Sequence, residues 1–563
     1  MQLEGNSVRQ LARSLLERLV DAHDPRYGFG TMTCAIYDTA WLSMIPRTEQ
    51  GLTEWLFPKC FFFLLDKQQP DGGWEATASP IDGILNTAAG LLSLCKHRET
   101  LYQISMSEHD LNERISLGRK ALLALLREWE IYETLHVGFE ILVPALLDSL
   151  EAYDMEFQFR GREALYNIRD VKLSMIDLQS LEDRTKPSHS ILHCLEALYG
   201  HINFDKLAHH KVCGSLMASP SATAAYLIHT SSWDGESEAY LRHVLEHGEG
   251  RGDGSVPSAF PSTIFELTWV LSTLAAAGLS EIQLRGEALT RALNMIKDEF
   301  HAQLGLMGFA PQIQPDADDT AKGITCLNML GVPASASGLV KSFGQGKWFK
   351  TYSEERNSSI STNCNALVAL LSDNIHIQFY SPVIAKVTRH LCETWFQSIS
   401  IQDKWNISSY YTIMLLAQAL SRVSERWRCG ELSSPDDHEL YEEQAPLVLF
   451  QILIHILQGQ DTGGSWDGSM EVTAYSILAI EAFKGTAHAQ LLDKQIHDAL
   501  RGGRSFLVRR FRVQQHPEML WIEKVTYGSS AISEAYVLAA LHSSSMVYYR
   551  ATTPEPPQLG AMP

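Results

Sequence analysis

Apolar residues recur at helical spacing along most of this chain, and that periodicity leaves little choice of fold. Stretches 117–127, 141–153, 264–277, 412–423 and 446–457 each carry apolar side chains over one broad face or more. Such faces bury a helix against other helices. No convincing run alternates apolar and polar residues as a half-buried strand would. Gly- and Pro-bearing turns break the helices at short intervals. The expected class is all-α, made of many antiparallel helix pairs. With 563 residues, two or three domains are expected.

One turn recurs. Gln68-Gln69-Pro70-Asp71-Gly72-Gly73-Trp74 has a counterpart in Gly459-Gln460-Asp461-Thr462-Gly463-Gly464-Ser465-Trp466, and Gly252-Asp253-Gly254-Ser255 is a weaker echo without the tryptophan. Each follows one apolar helix and precedes another. The glycines permit a tight turn, and the tryptophan can pack back across the helix ends. A recurring helix–turn–helix unit of this kind predicts a helical barrel or solenoid.

Charge and cysteine use exclude several functions. The net charge is −20, which repels nucleic acid and anionic membrane. An anionic substrate would need a local cationic patch or a divalent metal. Nine cysteines are scattered from Cys34 to Cys429 with no CxxC pair, so a zinc site and a disulfide framework are poorly supported and a reducing, cytoplasmic location is expected. No apolar run reaches the ~18 residues of a membrane span. At the N-terminus Val8, Leu11, Leu15, Leu16 and Leu19 follow helical spacing and do not form the compact core of a signal peptide. The Pro-rich segment 546–563 reads as a tail or linker.

The sharpest chemical signal is Asp316-Ala317-Asp318-Asp319, placed just before an apolar helical stretch. Three readings stand. Asp316 could cap the helix, with acidic residues favoured in its first turn. The carboxyls could instead be buried, so that one keeps its proton at neutral pH and serves as a general acid. Or the oxygens could bind Mg²⁺. No second acid cluster accompanies them. Asp436-Asp437, in a polar loop, reads as solvated surface.

Here a resemblance becomes specific. The Asp316–Asp319 segment resembles the DxDD signature of class II terpene cyclases, and the two Gly/Trp corners resemble their QW-type repeats. Segments 25–41, 136–141, 219–227, 256–262, 403–406 and 526–529 resemble class II diterpene cyclases of the copalyl diphosphate synthase type, especially the class II part of fungal bifunctional enzymes. The likeness runs from about residue 20 to about residue 545.

The resemblance implies two α/α barrel-like domains with the active site between them. The N-terminal helix 1–24 would join the second barrel, 266–545 (β), and the first barrel, 25–265 (γ), would be inserted after it. Asp318 would be the general acid, with Asp316 and Asp319 orienting it and tuning its acidity. Asn365, with Asn363 as the alternative, would hydrogen-bond it. Glu140 would be linked to Mg²⁺, and Lys172 to a diphosphate. His193 would help hold the water that takes the last proton. Ser258 and Cys194 stand where plant relatives carry Asn and Ser, which leaves the final base, and with it the product, open. Trp405, with Trp269 and Phe309, is a candidate to stabilise a carbocation through its π-face.

The implied reaction is proton-initiated cyclisation of geranylgeranyl diphosphate to copalyl diphosphate, a stereoisomer or a hydroxylated relative, with the diphosphate retained. A class I terpene synthase or prenyltransferase domain would be the partner, absent from this chain. The competing readings are a squalene–hopene-type cyclase, a non-catalytic helical-repeat scaffold and an α/α-barrel glycosidase.

Overall fold

Helix follows helix from Gly5 to His542, and the helices sort into two closed rings. The computed structural model describes residues 5–542 apart from 77, 353–354, 356, 398–400, 433–434, 485 and 512–515. The Pro-rich segment 546–563 lies outside the described residues.

In the first ring Ile36–Ser43, Pro80–Glu99, Phe139–Glu151, Ser190–Leu198 and Pro220–His229 each pack on the next, and the last returns to the first. One rung is irregular. Ser190–Leu198 is a tight 3-10 segment broken at Cys194, whose φ of −111° and ψ of 36° are not helical. The second ring closes through Thr263–Ala276, Ala317–Met329, Ile360–Ser372, Ser409–Arg428, Met470–Glu481 and Ser530–His542. These inner helices are buried nearly all round; in Ala317–Met329 every residue from Ala317 to Leu327 is buried. More amphipathic helices, such as Glu287–Ala302 and Ser381–Gln397, cover them from outside. Inner rungs are therefore apolar all round and outer ones apolar on one stripe. The N-terminal helix Gly5–Asp21 packs on Ser530–His542 and Glu287–Ala302 of the second ring.

Each ring encloses its own apolar core, and each core holds one of the repeated corners. Trp74 and Trp466 are both fully buried. The Trp74 indole N–H donates to the Leu64 carbonyl at 2.9 Å, and that of Trp466 to Ile456 at 2.8 Å. Gln68 and Gln460 donate to the carbonyls of Gly72 and Gly464 at 2.9 and 3.0 Å. Gly72 and Gly464 have φ of +94° and +89°, and a Cβ there would sit within 2.6 Å of backbone atoms of Leu117 or Gly502. Glycine is required at both by conformation and by space. The weaker echo near Gly254 makes a turn with no tryptophan to seat.

Two expectations need correction. Strands do occur among the described residues, as four two-stranded ribbons of two or four residues per strand. Such lengths are too short to show period-two alternation. Asp437 is not solvated surface: it is buried and ion-paired with Arg389. Asp436 is exposed.

The rings are joined by a hairpin. Trp521–Ile522 pairs with Thr526–Tyr527, and its turn enters the first ring. Val525 belongs to the first ring's core, and the Thr526 N–H donates to Asp82 at 2.8 Å. The Lys524 ammonium, 1 % exposed, donates to Glu196 at 2.9 Å, Ser219 at 2.7 Å and Ser221 at 2.6 Å. A buried ammonium is tolerated only with such partners.

Candidate active site

A largely apolar cavity of about 1350 Å³, mouth included, lies between the rings and is lined by both. The second ring supplies the acid cluster. Asp316 is the N-cap of Ala317–Met329: one of its oxygens accepts the N–H groups of Asp318 and Asp319, both at 2.8 Å. The capping and acid readings therefore describe the same residues. The cap fixes the first helical turn, and that turn carries Asp318 and Asp319 to the cavity wall.

Burial dominates the protonation of all three. It pushes Asp318 from 3.8 up to about 7; the Asn365 hydrogen bond pulls back down, while the charges of Asp316 and Asp403 push further up. Asn365 donates to Asp318 Oδ1 at 2.8 Å. Asn363 instead bonds Phe349 and Ser359 backbone groups. Asp319 is raised well above its ordinary value by burial and by Asp316. Asp316 reaches about 6 through burial, moderated by its bonds from Asp319 and the helix N–H groups. Carboxyls so close and so dry hold protons near neutral pH.

Aromatic rings form much of the wall. Trp269, Phe309 and Trp405 all line the cavity, joined by Phe265, Tyr411, Trp521, Tyr352 and Tyr527. Phe265 and Trp269 stand 4.5 Å apart, Tyr411 and Trp521 4.9 Å. The Trp269 indole donates to the Tyr411 hydroxyl at 3.1 Å and the Trp521 indole to Glu471 at 2.9 Å. With their polar edges turned to protein partners, the rings can offer π-faces that stabilise a cation without attacking it.

Other residues named from sequence fall unevenly. Lys172 lines the cavity, with its ammonium 4.0 Å from Glu140. Glu140 is buried beside it but does not itself line the cavity. His193 lines it from the broken rung, its Nδ1 2.9 Å from the Met217 carbonyl and its ring edge-on to Phe309. Ser258 is fully buried, its hydroxyl has no hydrogen-bond partner among the described residues, and its neighbour Ala259 lines the cavity in its place.

Sequence reasoning missed Glu523, Lys524 and the Glu355–Lys404 pair. Glu523 lines the cavity and bonds His193 Nε2. Glu355 also lines it and pairs with Lys404 at 2.7 Å. In sequence an adjacent Glu and Lys read as surface charge. Their signal is contact across 330 and 328 residues, which no local pattern carries.

The chain is 45% identical over 539 residues to the copalyl diphosphate synthase of Talaromyces verruculosus, covering 95% of this chain and 55% of that protein. It is 42% identical over 550 residues to the phyllocladan-16-alpha-ol synthase of Phomopsis amygdali, covering 96% and 54%. This chain is a relative of the fungal diterpene synthases. It spans about half the length of the curated relatives it matches. No family model matches it. Among solved structures, the ent-copalyl diphosphate synthase of Streptomyces platensis superposes with a TM-score of 0.72 at 24% identity, over 95% of this chain and 99% of that one. The abietadiene synthase of Abies grandis gives 0.58 at 18%, over 97% and 74%. These two likenesses establish the fold, the paired helical barrels of class II terpene cyclases. Among the described residues of this diterpene synthase relative, no helix is long and apolar enough to cross a membrane.

Proposed function

We propose that this chain is a class II diterpene cyclase that protonates the terminal alkene of geranylgeranyl diphosphate with Asp318 and leaves the diphosphate in place. One observation carries the reading: a carboxyl with a pKa of about 7 lies on the wall of an aromatic cavity between two helical rings.

The residues divide the work by position. Asp318 gives its proton to the alkene, and Asn365 holds the carboxyl and favours the anion left behind. That assistance counts, because an aspartic acid is a weak acid for an alkene. Positive charge then passes along the hydrocarbon as rings close, beside Trp269, Phe265, Tyr411 and Trp521. These faces supply stabilisation in a site that excludes water. Lys172 is the cation for the diphosphate end. The proposed domain limits are 1–24, 25–265 and 266–545; the packing of Gly5–Asp21 on the second ring supports the first, and Thr263–Ala276, which opens that ring, straddles the second.

Mg²⁺ fits in a restricted way. Among the described residues no three acidic, His or Cys side chains gather as a metal site. Glu140 offers one buried carboxylate beside Lys172, and Mg²⁺ commonly takes one or two carboxylates and fills its shell with phosphate and water. When bound, it would neutralise diphosphate charge. The retained diphosphate is what a class I terpene synthase ionises, so such an activity is the proposed partner. The nine unpaired cysteines suit a reducing compartment such as the cytoplasm.

The test is incubation with geranylgeranyl diphosphate and Mg²⁺, then phosphatase treatment and mass spectrometry of the alcohols. A bicyclic alcohol from the wild type, and none from Asp318→Asn, is expected. Full turnover by Asp318→Asn would remove Asp318 from this role, and no turnover by the wild type would remove the function.

A further inference from the structure

A cyclisation begun by a proton must end by losing one or by capturing water. Among the described residues the cavity has five lining carboxyls, and four are committed. Asp316 caps a helix, Asp319 holds a proton, Asp318 spends its proton at the terminal alkene, one ring away from the final cation, and Glu355 is tied to the Lys404 ammonium and the Thr351 N–H, both at 2.7 Å. Glu523 is the remaining one. Of the two lining histidines, His189 accepts the Ile191 N–H at 3.0 Å, and His193 bonds Glu523.

The geometry of that pair fixes its protons. His193 Nδ1 faces the Met217 carbonyl, which can only accept, so Nδ1 carries hydrogen. Nε2 faces Glu523 Oε1 closely, and two lone pairs cannot meet there. One further proton lies between them, and the pair is neutral as a whole. Glu523 Oε2 is buried and has no hydrogen-bond partner among the described residues, so that oxygen keeps acceptor capacity. Lys524, fixed by Glu196, Ser219 and Ser221, anchors the hairpin that carries it.

From this we infer that the Glu523 carboxylate, held by His193, is the base that ends the cyclisation. The C–H bond next to the final cation breaks, its electrons form the new C=C, and the proton passes to the carboxylate, directly or through one water. Glu523 becomes a carboxylic acid while His193 keeps its own protons. No oxidant or other co-reactant is needed. The pair comes from the broken rung and the joining hairpin, the acid from the helix Ala317–Met329. Start and end of the reaction are therefore on different elements.

The inference rests on the cyclase reading. Wild type, Asp318→Asn and Glu523→Gln are incubated with geranylgeranyl diphosphate and Mg²⁺ in ordinary water and in water enriched in heavy oxygen. The products are dephosphorylated and analysed by mass spectrometry. The wild type should give an olefinic bicyclic product without the label, and Asp318→Asn none. Glu523→Gln should still consume substrate, within about tenfold of wild type, but yield mostly a hydroxylated product carrying the label. An unchanged olefin at an unchanged rate from Glu523→Gln overturns the inference and leaves the cyclase reading standing. A labelled hydroxyl in the wild-type product also overturns it. No turnover by the wild type fails both. Should Glu523→Gln lose its thermal unfolding transition, His193→Gln reads the same pair, and an unchanged product there overturns the inference.

Discussion

Asp318 and Glu523 line one cavity and answer its dryness in opposite directions. Asp318 is pushed up from 3.8 to about 7. Glu523 feels burial too, yet the charge and hydrogen bond of His193 and the nearby Lys524 ammonium outweigh it and hold the carboxyl below its usual value. The difference is in the partners. Asp318 sits among like charges, Asp316 and Asp403, with a neutral amide as its hydrogen-bond donor. Glu523 sits between the His193 imidazole and the Lys524 ammonium. Desolvation makes an acid only where nearby cations do not outweigh it: the Lys322 ammonium lowers Asp318 too little, whereas His193 and Lys524 prevail at Glu523.

The largest test of this contrast removes the acid. Asp318→Asn should lower cyclisation of geranylgeranyl diphosphate by about 10³-fold or more while circular dichroism stays unchanged. A smaller effect is expected from Asn365→Ala. The lost hydrogen bond favours the ionised form, so Asp318 becomes a weaker acid and turnover should fall on the order of tenfold. Wild-type activity should decline as pH rises through about 7, where Asp318 ionises. In Asn365→Ala that decline should move to higher pH, measured as the alkaline limb of the pH–rate profile. A profile that does not move would mean that the amide leaves the acid untuned.

Thermal unfolding sharpens the contrast through signs. The folded protein keeps a proton on Asp318 that the unfolded chain releases above 3.8, so this group costs stability progressively as pH rises from there to about 7. Glu523 does the reverse. Its lowered folded-state pKa contributes stability above the ordinary 4.5 that is lost as pH falls through the folded value. At about pH 8, Asp318→Asn should raise the unfolding temperature and Glu523→Gln should lower it, each by a few degrees. Shifts of the same sign would break the comparison. The smallest effect belongs to Ser258→Ala. Its hydroxyl is buried without a hydrogen-bond partner among the described residues and off the cavity wall, so the product should be unchanged and stability should stay within about 0.5 kcal/mol of wild type.

Much of this is legible in the sequence. The apolar stretches are helices, and both tryptophan corners make the same hydrogen bonds in two different cores. The acid cluster, Asn365, His193, Lys172 and the aromatic candidates are brought around one cavity or onto its lining residues. Ser258 stands where plant relatives carry Asn, and here its hydroxyl is buried and off the cavity wall. Glu523 was passed over because two adjacent charges in Trp521–Tyr527 look solvated until a ring partner is found for them.

Local interactions account for what the chain determined by itself. A helix N-terminus needs a cap, Asp316 supplies one, and the next two carboxyls follow wherever that helix goes. A glycine turn seats a tryptophan within a span of a few residues. These outcomes depend on neighbours in sequence. Only the tertiary structure decided that a hairpin near the end of the chain would enter the first ring and set Glu523 against a histidine 330 residues away. Proton affinity depends on which charges lie within a few ångströms, and that distance is set by packing between the rings.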